Sequence, residues 1–292
     1  MSPDDSSFAQ QYARAPDGSE WFLQTGWENH QPVDHWGFPS CSVGIVVSFA
    51  GDVSVTFEAS GASLVSAALV AGMHVSPVRI REEGPSHGIQ IQLSPSAVRR
   101  CFGPGAGELT NSVTNLDALA GARGRELAEQ LFELRSWENR FALVQQFVYE
   151  NARYPSVRPE LDLAWRRFVA PAPKSVALVA EEVGWSRRHL SSQFRREYGV
   201  SPSMAKRVAR FERARRALRR GLALADAALQ AGYYDQAHLT HEWSRLAWCT
   251  PTEWLNQQFP FVQDQRTAVP ETLATPHQEA TRTSLKVTEN SR

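Results

Sequence analysis

Two stretches of the sequence, residues 177–202 and 225–251, are copies of one pattern, and no other feature constrains the fold as strongly. "ALVAEEVGWSRRHLSSQFRREYGVSP" aligns with "ADAALQAGYYDQAHLTHEWSRLAWCTP", pairing Ala180 with Ala228, Gly184 with Gly232, His189 with His238, Leu190 with Leu239, Phe194 with Trp243, Arg196 with Arg245 and Pro202 with Pro251. The offset is 48 residues before the turn and 49 after it, so the second turn holds one inserted residue. Such a repeat is two copies of one supersecondary unit. Each copy reads as a short apolar helix, a glycine where that helix ends left-handed, an N-cap (Ser186 or Asp235) and a second helix. An alanine four residues before each glycine lets the two helices cross closely. This is the pattern of a helix-turn-helix, whose second helix lies in a DNA major groove.

Helical spacing divides the second helix of each copy into two faces. In the first, His189, Leu190, Phe194 and Tyr198 are expected to face the core, leaving Arg187, Arg188, Ser191, Ser192 and Arg195 outward. Arginine reads guanine through two parallel hydrogen bonds, and serine bonds phosphates or base edges. In the second, Leu239, Trp243 and Leu246 turn inward and Gln236, Ala237, Thr240, His241 and Arg245 turn outward. Glutamine reads adenine, whereas threonine and histidine are weaker specifiers. The paired histidines His189 and His238 are expected to make packing or backbone contacts rather than to ligate a metal. Where the first copy has Gly199 in its closing turn, the second has Trp248, which is expected to distort the second unit or lengthen its helix, because a left-handed tryptophan is strained.

Between the copies, "SPSMAKRVARFERARRALRRG" carries an apolar stripe of Met204, Val208, Phe211, Ala214 and Leu218, with Ser201 as cap, Pro202 in the first turn and Gly221 as stop. A helix of about 18 residues runs about 27 Å, enough to hold two reading helices about one DNA turn apart. Its arginines, unneeded for packing, are expected to neutralise phosphates. The chain has zero net charge, with 31 Lys+Arg against 31 Asp+Glu, yet residues 174–220 carry thirteen basic and four acidic residues. That asymmetry points to a polyanion partner for one segment rather than for the whole molecule.

The N-terminal half has a different texture. From Pro39 to Leu93, "CSVGIVVSF", "VSVTF" and "GIQIQL" are β-branched or alternating runs separated by Gly, Pro and Asp, which predicts a small sheet or barrel. A short helix follows in "SPSAVRRCFG", capped by Ser94 and stopped by Gly103. Leu127, Leu131 and Leu134, then Phe141, Val144, Phe147 and Val148, predict a helical pair. The chain divides accordingly into a flexible leader (1–20), a β-rich sensor or dimerisation domain (21–152), a linker (153–162) in the proline-containing "RYPSVRPELD", the double helix-turn-helix domain (163–260) and a disordered tail (261–292). Overall the expected class is α+β, with a small β-rich, barrel-like N-terminal domain followed by a helical pair, and an all-α C-terminal domain of two helix-turn-helix units joined by a long helix.

Composition excludes several functions. With 42% hydrophobic residues and no apolar run near the roughly 18 residues of a membrane span, and with a polar, acidic start, a cytoplasmic protein is expected. The three cysteines, Cys41, Cys101 and Cys249, form no CxxC pair and are read as free thiols. No GxSxG, Walker or GxGxxG motif is present. His30, His35, His74 and His87, with Glu82 and Glu83, leave open a metal-dependent enzyme site, against the simpler reading of surface or pocket-lining histidines. Trp21, Trp27, Trp36, Phe38 and Phe49 are candidates to line an apolar effector pocket, although aromatics more often build core.

From about Pro173 to Phe259, the paired units, "QFRREYGVSP", and "AGYYDQAHLTHEW" followed by "CTPTEW" resemble the DNA-binding domain of the AraC/XylS family of bacterial transcription regulators. The resemblance covers close to a third of the chain. It implies an all-helical DNA-binding domain coupled to a variable N-terminal domain, often cupin-like, that senses a small-molecule effector, mediates dimerisation, or both. The leading reading is a DNA-binding regulator with double-stranded DNA as partner, RNA polymerase as a further candidate partner, a homodimer whose surface is helices 125–150, and no cofactor, bound metal or enzymatic activity. Two alternatives remain open on the residues: a metal-dependent cupin enzyme fused to a DNA-binding module, and a non-specific nucleic-acid-binding protein.

Overall fold

The computed structural model describes residues 7–14, 21–29 and 32–256. Among the described residues its first half holds ten strands: β1 (Ser7–Arg14), β2 (Trp21–Asn29), β3 (Val33–Gly37), β4 (Val43–Ser48), β5 (Val53–Phe57), β6 (Ala62–Ser66), β7 (Ala68–Ala71), β8 (Val78–Glu82), β9 (Ser86–Leu93) and β10 (Val113–Asn115). They form two antiparallel sheets, ordered β1-β2-β9-β4-β7-β10 and β3-β8-β5-β6. The alternation seen in the sequence decides which side chains go inside: Val43, Ile45 and Val47 of β4, Val53, Val55 and Phe57 of β5, and Ile89, Ile91 and Leu93 of β9 are all buried. Leu69 of β7 packs with Val53, Val55, Phe57 and Val78 of the other sheet, closing the two layers on each other. The expected small barrel takes this two-sheet form.

Residues 7–14, assigned above to a loose leader, form β1, which pairs along its full length with β2 from Ser7 opposite Glu28 to Arg14 opposite Trp21. Its sequence, SFAQQYAR, lacks the period-two alternation that marks a half-buried strand, so it does not stand out from a loop. The tail 261–292 lies outside the described residues.

The remaining elements are helical: α1 (Pro95–Phe102), a 3-10 turn (Ala106–Leu109), α2 (Leu116–Ala120), α3 (Ala122–Glu133), α4 (Trp137–Asn151), α5 (Pro159–Val169), α6 (Val176–Glu182), α7 (Arg187–Tyr198), α8 (Pro202–Arg219), α9 (Leu224–Ala231), α10 (Gln236–Ala247) and α11 (Pro251–Asn256). As the sequence predicts, the Ser94 hydroxyl accepts the Ala97 N–H to start α1, and α3 and α4 supply the helical pair. Residues 153–158 run without helix into α5.

The buried core does not stop at that segment. One apolar cluster runs from Phe22, Ile45 and Ile91 in the sheet through Leu131 and Phe147 of the helical pair to Phe168, Leu190, Phe194 and Tyr198 in the first repeat unit. A second cluster gathers Phe211, Leu239, Trp243 and Trp254 around Phe38, a residue of the N-terminal half. Both repeat units therefore share hydrophobic core with the sheet region. Among the described residues, no helix is long and apolar enough to cross a membrane.

Candidate nucleic-acid interface

The two copies of the repeat make the same hydrogen bonds. After Gly184 (φ 70°) the N–H of Trp185 donates to the Ala180 carbonyl, and after Gly232 (φ 89°) the N–H of Tyr233 donates to the Ala228 carbonyl, each at 2.9 Å. The Ser186 hydroxyl then accepts the His189 N–H at 3.1 Å, and the Asp235 carboxylate accepts the His238 N–H at 2.7 Å. Ser201 and Thr250 cap α8 and α11 in the same manner. α6–α7 and α9–α10 are thus two helix-turn-helix units built to one plan, and the inserted residue of the second turn is Tyr234.

Leu190, Phe194 and Tyr198 on α7, and Leu239, Trp243 and Leu246 on α10, are buried as the periodicity requires. On the opposite face of α7, Arg187, Arg188, Ser192 and Arg195 are exposed and Ser191 is half-buried. On α10, Gln236, Ala237, His241 and Arg245 are exposed, while Thr240 is half-buried and donates its hydroxyl to the Gln236 carbonyl. The structure brings each predicted set onto one outward face. Ser191, Ser192, Arg195 and Arg196 border a shallow open groove of about 470 Å³.

His189, grouped above with the core face, is exposed and meets the Trp185 ring edge-on at 4.7 Å. Its counterpart His238 sits edge-on to Tyr233 and accepts the Tyr234 N–H through Nδ1, a backbone contact of the expected kind.

Two residues escaped the sequence reading. Arg196 lines the groove and is exposed; its repeat partner Arg245 had been selected, so the alignment itself carried the signal. Tyr234 is 86% exposed at the start of α10, and only its status as the inserted residue marked it.

The expectations for α8 and Trp248 are corrected. Arg207 and Arg210 both donate to Glu242 of α10, Arg210 at 2.8 Å. Burial pushes the Glu242 carboxyl up, but the hydrogen bond from Arg210 and the two adjacent cations outweigh it, and its pKa lies below the ordinary value. Arg213 donates to the carbonyls of Val169 (3.0 Å) and Ala231 (3.4 Å), the last residues of α5 and α9. Lys206 donates to the Lys174 carbonyl and lies over the Phe168 ring. Arg215 is buried, 5.8 Å from both the Phe38 and Phe211 rings. Arg213 satisfies the ends of α5 and α9, Arg207 and Arg210 pair with a buried carboxylate, and Lys206 and Arg215 lie on aromatic rings, so these α8 cations are needed for packing. Trp248 neither distorts its unit nor extends α10: it takes the left-handed conformation itself (φ 57°, ψ 16°), and its ring meets Trp36 edge-on at 6.0 Å.

In the N-terminal half the candidate pocket aromatics have neighbours of their own. Trp27 is buried and donates its indole N–H to Ser86. Phe49 and Trp137 flank the Arg140 guanidinium, which donates to His87 Nε2 at 3.0 Å. Trp36 and Phe38 face the C-terminal half. His30 and the side chain of Trp21 lie outside the described residues. His35 is on β3, His74 follows β7 and His87 is on β9; among the described residues no three His, Cys, Asp or Glu side chains gather where a metal ion would sit. Burial lowers the pKa of His35 to about 4 and also lowers those of His74 and His87.

A family model described as a helix-turn-helix domain matches residues 179–257. A Bacillus subtilis (strain 168) protein named as an uncharacterized HTH-type transcriptional regulator, YbfI, is 34% identical over 61 residues, 21% of this chain and 22% of its own length. The chain therefore matches only about a fifth of that relative. Among solved structures, a lysine-to-alanine variant of apo ToxT from Vibrio cholerae strain SCE256 shares the fold at a TM-score of 0.50 and 11% identity, over 80% of this chain and 97% of its own. A Chromobacterium violaceum regulator with an AraC-type DNA-binding domain is 27% identical over 35% of this chain and 96% of its own, with a TM-score of 0.32. With the two units, their shared caps and turns and the family match in agreement, residues 179–257 are a helix-turn-helix domain.

Proposed function

We propose that the chain is a sequence-specific DNA-binding transcription regulator in which α7 and α10 enter successive major grooves of one duplex. Arg187, Arg188, Ser191, Ser192 and Arg195 read or anchor the first groove, and Gln236, Ala237, Thr240, His241 and Arg245 the second. The carrying observation is the duplicated unit itself: both second helices are capped, turned and buried alike, and both leave the side chains assigned to the grooves outward or half-exposed. With four exposed arginines on α7 against one on α10, the first helix is the main reader. Because the N-terminal half shares core with both units, a small-molecule effector bound there has a mechanical route to them. Self-association through α3 and α4, where Phe132 is exposed, and contact with RNA polymerase complete the reading, which assigns no cofactor and no enzymatic reaction to the chain.

The test compares affinity for duplex fragments that the protein selects from a random pool with affinity for unselected duplex over a range of salt concentrations. A specific regulator prefers the selected fragments throughout, whereas equal affinities at every salt concentration would leave only a non-specific nucleic-acid binder.

A further inference from the structure

Both reading helices end against the N-terminal half. At the end of α7, Arg99 of α1 holds Glu197 through two hydrogen bonds of 2.6 and 2.8 Å, and the Thr110 hydroxyl donates to the Tyr198 carbonyl at 3.1 Å. Between them, the backbone of Gly107 lies directly on the helix end: a Cβ there would stand 2.7 Å from the Gly199 nitrogen and 2.8 Å from the Arg196 oxygen. At the end of α10, Trp248 meets Trp36. Between the two helices, Glu212 of α8 accepts hydrogen bonds from the Ser40 hydroxyl and the Cys41 N–H.

Glu197 explains why the first of these contacts is needed. A carboxylate in the last turn of a helix sits at the negative end of the helix dipole, where it is disfavoured. Arg99 supplies the opposing charge from a different part of the chain. The contact is also stiff, because it is made to backbone and to a two-pronged ion pair rather than to a single flexible side chain.

We propose that Arg99, with Gly107 and Thr110, positions the first reading helix, so that the seating of α7 in its groove is set by the N-terminal half. This rests on the reading of α7 given above. Base reading by arginine requires two hydrogen bonds to close at once on a base edge, and small displacements break them. Phosphate attraction falls off slowly and tolerates the same displacement. Loosening the end of α7 therefore lowers discrimination between sequences while leaving attraction to duplex in general intact.

The experiment uses the full chain and a duplex selected by it, measuring the ratio of affinities for selected and unselected DNA together with thermal melting. Arg99→Glu is expected to lower that ratio about tenfold or more, with affinity for unselected duplex near that of the unaltered protein, and Arg99→Glu combined with Glu197→Arg to recover most of it. Thr110→Val, which removes one hydroxyl, is expected to give a smaller loss of the same kind and decides the matter if the charge reversal prevents folding. An unchanged ratio in Thr110→Val and in every folded Arg99→Glu preparation overturns the proposal. So does a ratio that the double variant fails to recover, or a loss that affects both kinds of DNA equally. If the unaltered protein shows no preference for selected DNA, the reading of α7 fails instead.

Discussion

Gly199 and Trp248 close α7 and α10 in one left-handed conformation, with φ of 71° and 57°. For glycine that conformation is free; for any residue with a Cβ it costs about 1 kcal/mol or more. Trp248→Gly and Trp248→Ala both lose the contact with Trp36, so the difference between them isolates the backbone. The glycine variant is expected to be the more stable of the two by about 1 kcal/mol in urea unfolding, and equal stability would mean that the turn carries no strain.

The arginines divide by partner. Arg188→Ala is expected to cost about 1 to 3 kcal/mol of sequence discrimination, with little change in melting temperature. Arg213→Ala leaves the carbonyls of Val169 and Ala231 without a donor and is expected to cost about 1 to 3 kcal/mol of stability instead. Thermal melts and binding assays on the pair separate the two roles.

Glu242 binds Arg207 and Arg210 from one position on α10. Glu242→Gln keeps the shape and removes the charge, so the protein is expected to unfold more easily by about 1 to 3 kcal/mol. A variant as stable as the unaltered protein would show that these ion pairs contribute nothing net.

Acid is expected to weaken the fold before the carboxylates titrate. His35, His74 and His87 all have lowered pKa values, chiefly through burial, with His35 at about 4 against an ordinary 6.5. The unfolded chain takes up protons that the folded chain refuses, so stability is complete above about pH 6.5 and declines as pH falls toward 4. Urea midpoints at pH 7.5 and 5.5 test this, and His87→Gln, which removes a proton acceptor facing Arg140, should reduce the drop.

Much of the C-terminal half was legible because its information is local. Gly184 and Gly232, the caps Ser186 and Asp235, and the spacing of Leu190, Phe194, Leu239 and Trp243 each specify structure within a few residues, and duplication shows every signal twice. The alternation of β4, β5 and β9 was readable for the same reason. What escaped depends on partners far along the chain. Arg207 and Arg213 look alike in a charge count, and only the arrival of Glu242, Val169 and Ala231 gives them interior roles. Trp36 and Phe38 appeared as candidate pocket walls because no local pattern shows that the second unit packs on them. β1 was hidden by its lack of alternation, and Trp248 by the assumption that strain is avoided.

Phe38 bears on how freely this molecule can be taken apart. Its ring lies 6.4 Å from Phe211 and 6.5 Å from Trp254, inside the cluster that holds the second unit together. Cutting the chain ahead of α5 would leave an aromatic-lined vacancy open to water, so the C-terminal segment, for all its internal repetition, is no interchangeable cartridge. A chimera that grafts it onto another N-terminal half must bring a substitute for this one plug.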